Sequence, residues 1–152
     1  MSIEVKLTEL GIALPQPAKA VGSYIPVAVA NNVAYVSGQI PVSDGKIQYA
    51  GKIPSEISIN DGQQAARLCL INALSQLKAE FGSLDKINKI VKLEVFVNSS
   101  PKFTEQATIA NGASDLLVEL FGENGKHARI ALGASELPLN SAVEISLIAT
   151  IK

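Results

Sequence analysis

The 152-residue chain predicts an α+β fold: a two-layer sandwich with two helices on one face of a mixed sheet of five or six strands. Three observations carry this expectation. β-rich runs alternate with two long stretches of helical periodicity, in the order ββ(β)–α–β–α–ββ. No repeat, low-complexity tract or linker divides the chain. The composition, 47% apolar but only 5% aromatic, provides an aliphatic core for one domain without covalent staples.

Each element has a local signature. SIEVKLTELGI predicts a short first helix, halted by Gly11 and the Pro15/Pro17 pair. Residues 24–30 and 33–39 are β-rich, and Asn31-Asn32 between them tolerates the positive φ of a two-residue hairpin turn. SDGKIQYAGKIPSE is polar and predicts a loop with one short strand at most. Asn60 or Asp61 then caps a helix running to about residue 80. Its buried stripe is Ala66, Leu70, Ala73, Leu77 and Phe81, and Gly82 stops it.

Residues 89–98 alternate Val91, Leu93, Val95 and Val97 with Lys92, Glu94, Phe96 and Asn98, which predicts a strand. The second long helix spans about 104–121, burying Ile109, Ala113, Leu116, Leu117 and Leu120 before Gly122. Residues 129–134 and 142–151 are the closing strands. Two helices cover only one face of such a sheet. Phe96, Ile130 or Ile148 would leave apolar surface on the other, so a second subunit is expected there.

Charge narrows the ligand class. The 13 basic and 14 acidic residues nearly cancel and no Lys or Arg run occurs, which disfavours nucleic acid as a partner. Cys69, the single cysteine, forms no internal disulfide and suits a reducing compartment. The first residues do not resemble a secretory signal, and no apolar run reaches membrane-spanning length, so a cytoplasmic protein is expected.

Two charged residues stand in the closing strands, Arg129 and Glu144. Alternation puts each opposite an aliphatic series expected to pack on the helices, so the pair is expected to line one surface. One reading is a structural salt bridge or a subunit-interface pair. The other is a guanidinium that grips a carboxylate bidentately, with Glu144 orienting a water or exchanging a proton. Small Ala131 and Gly133 leave room beside Arg129. His127, two residues earlier, falls on the same strand side. Gly38 in SGQIP would let a ligand approach the backbone closely. One histidine and one cysteine do not build a zinc site, and Cys69 reads as a small buried thiol in a helix. Phosphate-cradling loops and the GxSxG elbow are missing.

Taken together, VGSY (21–24), YVSGQIPV (35–42), EVFVNSSPKF (94–103) and HAR (127–129), followed by ELPL and VEISLIA (143–149), resemble the signature of the Rid family. These reactive intermediate deaminases are also called RidA/YjgF or endoribonuclease L-PSP. The resemblance covers about residues 18–151, with residues 1–17 as an N-terminal extension to a single domain, 18–152. It implies a chorismate-mutase-like fold in a homotrimeric barrel, with ligand clefts between subunits. The implied reaction converts enamine or imine intermediates to 2-oxo acids and ammonia without metal or cofactor.

Carried onto this chain, Arg129 binds the substrate carboxylate and Glu144 positions the attacking water. Tyr24 contributes from the cleft wall and the Ser37–Gly38 backbone contacts the ligand; His127, by its strand side beside Arg129, is either a strand-edge polar residue or a further lining residue of the site. Ala131 stands where many deaminases carry a cysteine, and Lys126-His127-Ala128 where Phe-Pro-Ala is common. The N-terminal extension through Pro17 and the segment NGASDLLVELFGENGKHAR (111–129) resemble a longer branch of the family. The alternatives are a non-enzymatic binder of small carboxylates and, least favoured by the charge balance, an endoribonuclease.

Overall fold

A computed structural model describes all 152 residues. Its elements in chain order are α1 (Ile3–Glu9), β1 (Val27–Ala30), β2 (Val33–Gln39), β3 (Val42–Ser43), β4 (Lys46–Ile47), α2 (Ile59–Phe81), β5 (Ile87–Asn98), α3 (Gln106–Phe121), β6 (Ala128–Ala134) and β7 (Val143–Ile151). Five strands form one mixed sheet in the order β1-β2-β7-β5-β6, while β3 and β4 pair separately as a small hairpin. Only β5 and β6 run parallel, and α3 connects them, as a parallel pair requires. The result is the α+β architecture that the alternation of periods predicts.

Local chemistry explains the boundaries. Asn31 and Asn32 take φ of 49° and 58°, the left-handed pair that closes the β1–β2 hairpin. α2 starts earlier than expected, because the Ser58 hydroxyl rather than Asn60 or Asp61 caps it, accepting from the Asp61 N–H at 3.1 Å. Gly82, at φ 81°, ends it in the left-handed conformation.

The core lies between the helices and one sheet face. Leu70, Leu74 and Leu77 of α2 and Leu116, Leu117 and Leu120 of α3 are buried with Leu93, Val95, Ile145 and Leu147 of the sheet. Each such leucine contributes about 2 kcal/mol relative to exposure. The two helices approach closely at Gly112, where a Cβ would overlap the Gln63 carbonyl. Gln63 Nε2 donates to the Thr108 carbonyl at 2.8 Å across the same contact.

The N-terminal segment is fastened to this core. Ile3 and Leu7 are buried, and Lys6 Nζ donates to the Leu120 carbonyl at 2.9 Å near the end of α3. Past Gly11 the chain runs as a strap over α2. Ser75 Oγ donates to the Pro15 carbonyl at 2.6 Å and Gln76 Nε2 to the Ala18 carbonyl at 2.7 Å.

No helix covers the other sheet face. Tyr35, Ile130 and Leu132 are exposed there by 48%, 41% and 43%, large apolar side chains of the kind that mark an interface. Among them Lys92 and Glu94 form a 2.8 Å ion pair. The hydrogen bond from Lys92, then that from Ser146, holds the Glu94 carboxyl below its ordinary value.

Candidate active site

β2 pairs regularly with β7 up to Val36 and Leu147, then its register shifts before Gln39 meets Ile145. Within this irregular step Ser37 turns towards the strap. Its N–H donates to the Pro26 carbonyl at 2.8 Å and its hydroxyl to the Ile25 carbonyl at 2.7 Å. Gly38, the next residue, lies against the Glu144 side chain so closely that any Cβ would overlap the carboxylate. The irregularity opens a cleft of about 300 Å³. Lys19, Val21 and Tyr24 of the strap line it on one side, Asn72 and Gln76 of α2 on another, and Gly38 with Glu144 at the sheet.

Glu144 is half-buried, and no side chain or backbone donor within the chain hydrogen-bonds or ion-pairs with it. Burial alone pushes its carboxyl above its ordinary value. A carboxylate in this state is a better proton acceptor than an exposed one, and it faces space for a small ligand. Behind it on α2, burial raises the Cys69 thiol well above its ordinary value, with the Glu144 charge adding to the shift. Cys69 is fully buried and its Sγ faces the Val143 carbonyl at 3.5 Å, so it is packing, not chemistry.

Arg129 and His127 lie elsewhere. In the β5–β6 ladder Leu93 is level with Arg129, and in the β5–β7 ladder the same Leu93 is level with Leu147. Arg129 therefore points to the helix side, while Glu144, level with Phe96, points to the uncovered side. Within one chain the expectation that the two share a surface is overturned, and they form no salt bridge there. The reason is that β6 is an edge strand overhung only in part by α3. Its aliphatic Ile130 and Leu132 turn to the uncovered face, and Arg129 reaches past the sheet to the helix.

There Arg129 Nη1 donates to Asn111 Oδ1 at 2.8 Å and to Ser114 Oγ at 3.1 Å. His127 Nδ1 lies 2.6 Å from the Gly125 carbonyl, which only accepts, so this nitrogen carries the proton. In the neutral ring Nε2 then accepts from the Ser114 hydroxyl at 3.0 Å. The guanidinium is thus held by α3 in an exposed position at the sheet's edge.

The cleft unites Tyr24, Gly38 and Glu144, with Ser37 adjoining. Lys19, Asn72 and Gln76 were missed by sequence reasoning. A polar Gln76 beside the buried stripe of α2 was the available signal. No three His, Cys, Asp or Glu side chains gather as a metal site would need.

Residues 4–151 match the family model described as "YjgF/chorismate_mutase-like, putative endoribonuclease". Protein TCP17 of Trypanosoma cruzi is 43% identical over 144 residues, covering 94% of this chain and 90% of its own. A crystal structure from Agrobacterium tumefaciens, of a protein described as of unknown function, superposes with a TM-score of 0.92 at 44% identity, covering 99% of this chain and 92% of the other. The crystal structure of E. coli TdcF with bound serine superposes with a TM-score of 0.66 at 26% identity, covering 90% and 94%.

Proposed function

The chain belongs to the YjgF/RutC/Rid family, and we propose that it hydrolyses small 2-imino acids, or their enamine tautomers, to 2-oxo acids and ammonia. The observation that carries this reading is Glu144: half-buried, raised in pKa, without a partner, and facing a ligand-sized cleft. An iminium carbon is already electrophilic, so a positioned water and a proton acceptor suffice. The water oxygen bonds to that carbon while Glu144 takes its proton. Transfer of protons to nitrogen then breaks the C–N bond, so iminium and water become ketone and ammonium. Tyr24 and the Ser37–Gly38 backbone border the reacting centre in this reading. The serine-bound TdcF supports a ligand of amino-acid size.

A second copy completes the cleft. Within one chain Arg129 and Glu144 are separated by β5, about 10 Å across the sheet, and point to opposite faces. A homotrimer that covers Tyr35, Ile130 and Leu132 would bring the exposed β6 edge of one copy to the cleft of the next, where Arg129 grips the substrate carboxylate and His127 adjoins it.

The reading is tested by generating 2-imino acids in the cuvette with an amino-acid oxidase and following 2-oxo acid formation. Wild-type protein should exceed the buffer rate, and Glu144→Gln should not. A wild-type rate equal to buffer across several amino acids sinks the proposal. A second reading, a binder of small carboxylates without turnover, is favoured by one observation: Lys19 supplies the cleft with its own cation. Saturable binding of 2-oxo acids in a protein that turns over no imine would establish it. No helix is long and apolar enough to cross a membrane.

A further inference from the structure

Arg129 is an exposed cation that forms no ion pair within the chain, yet it does not hang free. Asn111 and Ser114 stand three residues apart on one face of α3, and both accept from its Nη1, at 2.8 and 3.1 Å. Nη1 carries two hydrogens, so both are spent. The Ser114 hydroxyl directs its own proton to His127 Nε2 at 3.0 Å, and His127 Nδ1 donates to the Gly125 carbonyl at 2.6 Å. Gly125 is buried against α3 so closely that a Cβ would overlap the Leu117 carbonyl. The donations run one way, from guanidinium to hydroxyl to imidazole to backbone, and a group that donates also accepts more strongly. What remains of the guanidinium is Nε and Nη2, for which the chain supplies no acceptor. Their N–H groups include one parallel pair, the fork that fits a carboxylate.

We propose that Ser114 and His127 are positioning residues for Arg129: with Asn111 they clamp Nη1 and so present the Nε–Nη2 edge to the carboxylate of a ligand. The proposal rests on the reading of Arg129 as the carboxylate grip, and it adds which edge of the guanidinium grips and what aims it. An arginine on an exposed strand edge would otherwise lose its rotamer freedom when the ligand binds. Here folding has already fixed it. His127 acts on the guanidinium through Ser114: its bare Nε2 takes the hydroxyl proton and leaves the oxygen's lone pairs to Arg129.

The chain has two arginines, Arg67 and Arg129, so a nitrogen NMR spectrum of the intact protein holds two Nε–H signals, and Arg129→Ala tells them apart. Titration of wild type with 2-oxobutanoate should be saturable and should move the Arg129 Nε–H signal downfield. Ser114→Ala should weaken this binding about tenfold. It should raise KM for the imine by the same factor and leave kcat within about twofold, because a carboxylate grip is equal in ground and transition states. Ser114→Thr keeps the hydroxyl and should stay within about twofold of wild type in both. A titration that saturates with Nε–H unmoved, no binding in wild type, or a Ser114→Thr as impaired as Ser114→Ala would overturn the proposal. So would a Ser114→Ala that loses kcat at unchanged KM, the mark of a merely structural role. The wild-type titration needs no variant to fold. Imine turnover with Nε–H unmoved by the carboxylate removes the positioning alone. The shift, weakened in Ser114→Ala, in a protein that turns over no imine removes the reaction alone.

Discussion

Gly38 and Glu144 occupy one space: the carboxylate fills the volume that a Cβ on Gly38 would need. Gly38 is not in the left-handed region, so the glycine is required by its neighbour rather than by its own backbone. Gly38→Ala should therefore displace the Glu144 carboxylate, which is the free end of a flexible side chain. Unfolding free energy should change by less than about 1 kcal/mol. Imine hydrolysis should fall by about tenfold to a hundredfold, the cost of a misplaced proton acceptor. Denaturant titration and the coupled assay on one preparation check both halves, and unchanged turnover would count against Glu144 as the acceptor.

Glu144→Gln separates activity from stability. Burial raises the folded-state pKa of Glu144, so the folded chain holds this proton to higher pH than the unfolded chain does. Its favourable contribution is fully present below the ordinary value of 4.5 and is lost as pH rises through the raised value. At neutral pH the charged carboxylate is a burden that glutamine removes. Glu144→Gln should be inactive yet melt a few degrees above wild type at pH 7, and the gap should close near pH 4. Melting curves at both values decide it. A variant less stable than wild type at pH 7 would mean that the carboxylate has a donor in the assembled protein.

How much of this was legible in the sequence depends on which neighbour each residue answers to. The stripe of α3 and the alternation of β5 answer to the core, and both were readable as periods. The Asn31-Asn32 turn answers to its own backbone, and it too was readable. Arg129 was not, because alternation gives two sides without saying which one is covered. The aliphatic side of an edge strand was assigned to the helices, whereas β6 turns Ile130 and Leu132 to the open face. Gly38 was visible as a point of close approach, but its partner, Glu144, lies 106 residues on (144 − 38) and meets it only through the β2–β7 register step.

Gly112 reads as a defect inside α3, yet it sets the distance between the helices. A Cβ there would overlap the Gln63 carbonyl of α2, and backbone does not swing aside as a side chain does. Gly112→Ala gains about 1 kcal/mol of helix propensity and should still destabilise the protein, by about 1–3 kcal/mol net. Chemical denaturation measures the sign directly. A stabilised variant would show that the α2–α3 spacing is looser than these residues imply.

The proposed division of the site between copies predicts complementation. Glu144→Gln retains Arg129, and Arg129→Ala retains Glu144, so each variant alone should be inactive while keeping its assembly. Arg129→Ala loses only the two hydrogen bonds to Asn111 and Ser114 at an exposed edge, so its fold should persist. If one copy's cleft receives the next copy's guanidinium, unfolding and refolding the two variants together should restore about a quarter of the wild-type rate, since random mixing pairs an intact cleft with an intact Arg129 at that frequency. Mixing without refolding should restore nothing until subunits exchange. Leu132→Glu, which places a charge in the uncovered apolar face, should give a monomer by sedimentation and abolish the recovery. Full activity of Arg129→Ala by itself would place the carboxylate grip on Lys19 and leave Arg129 as a strut between β6 and α3.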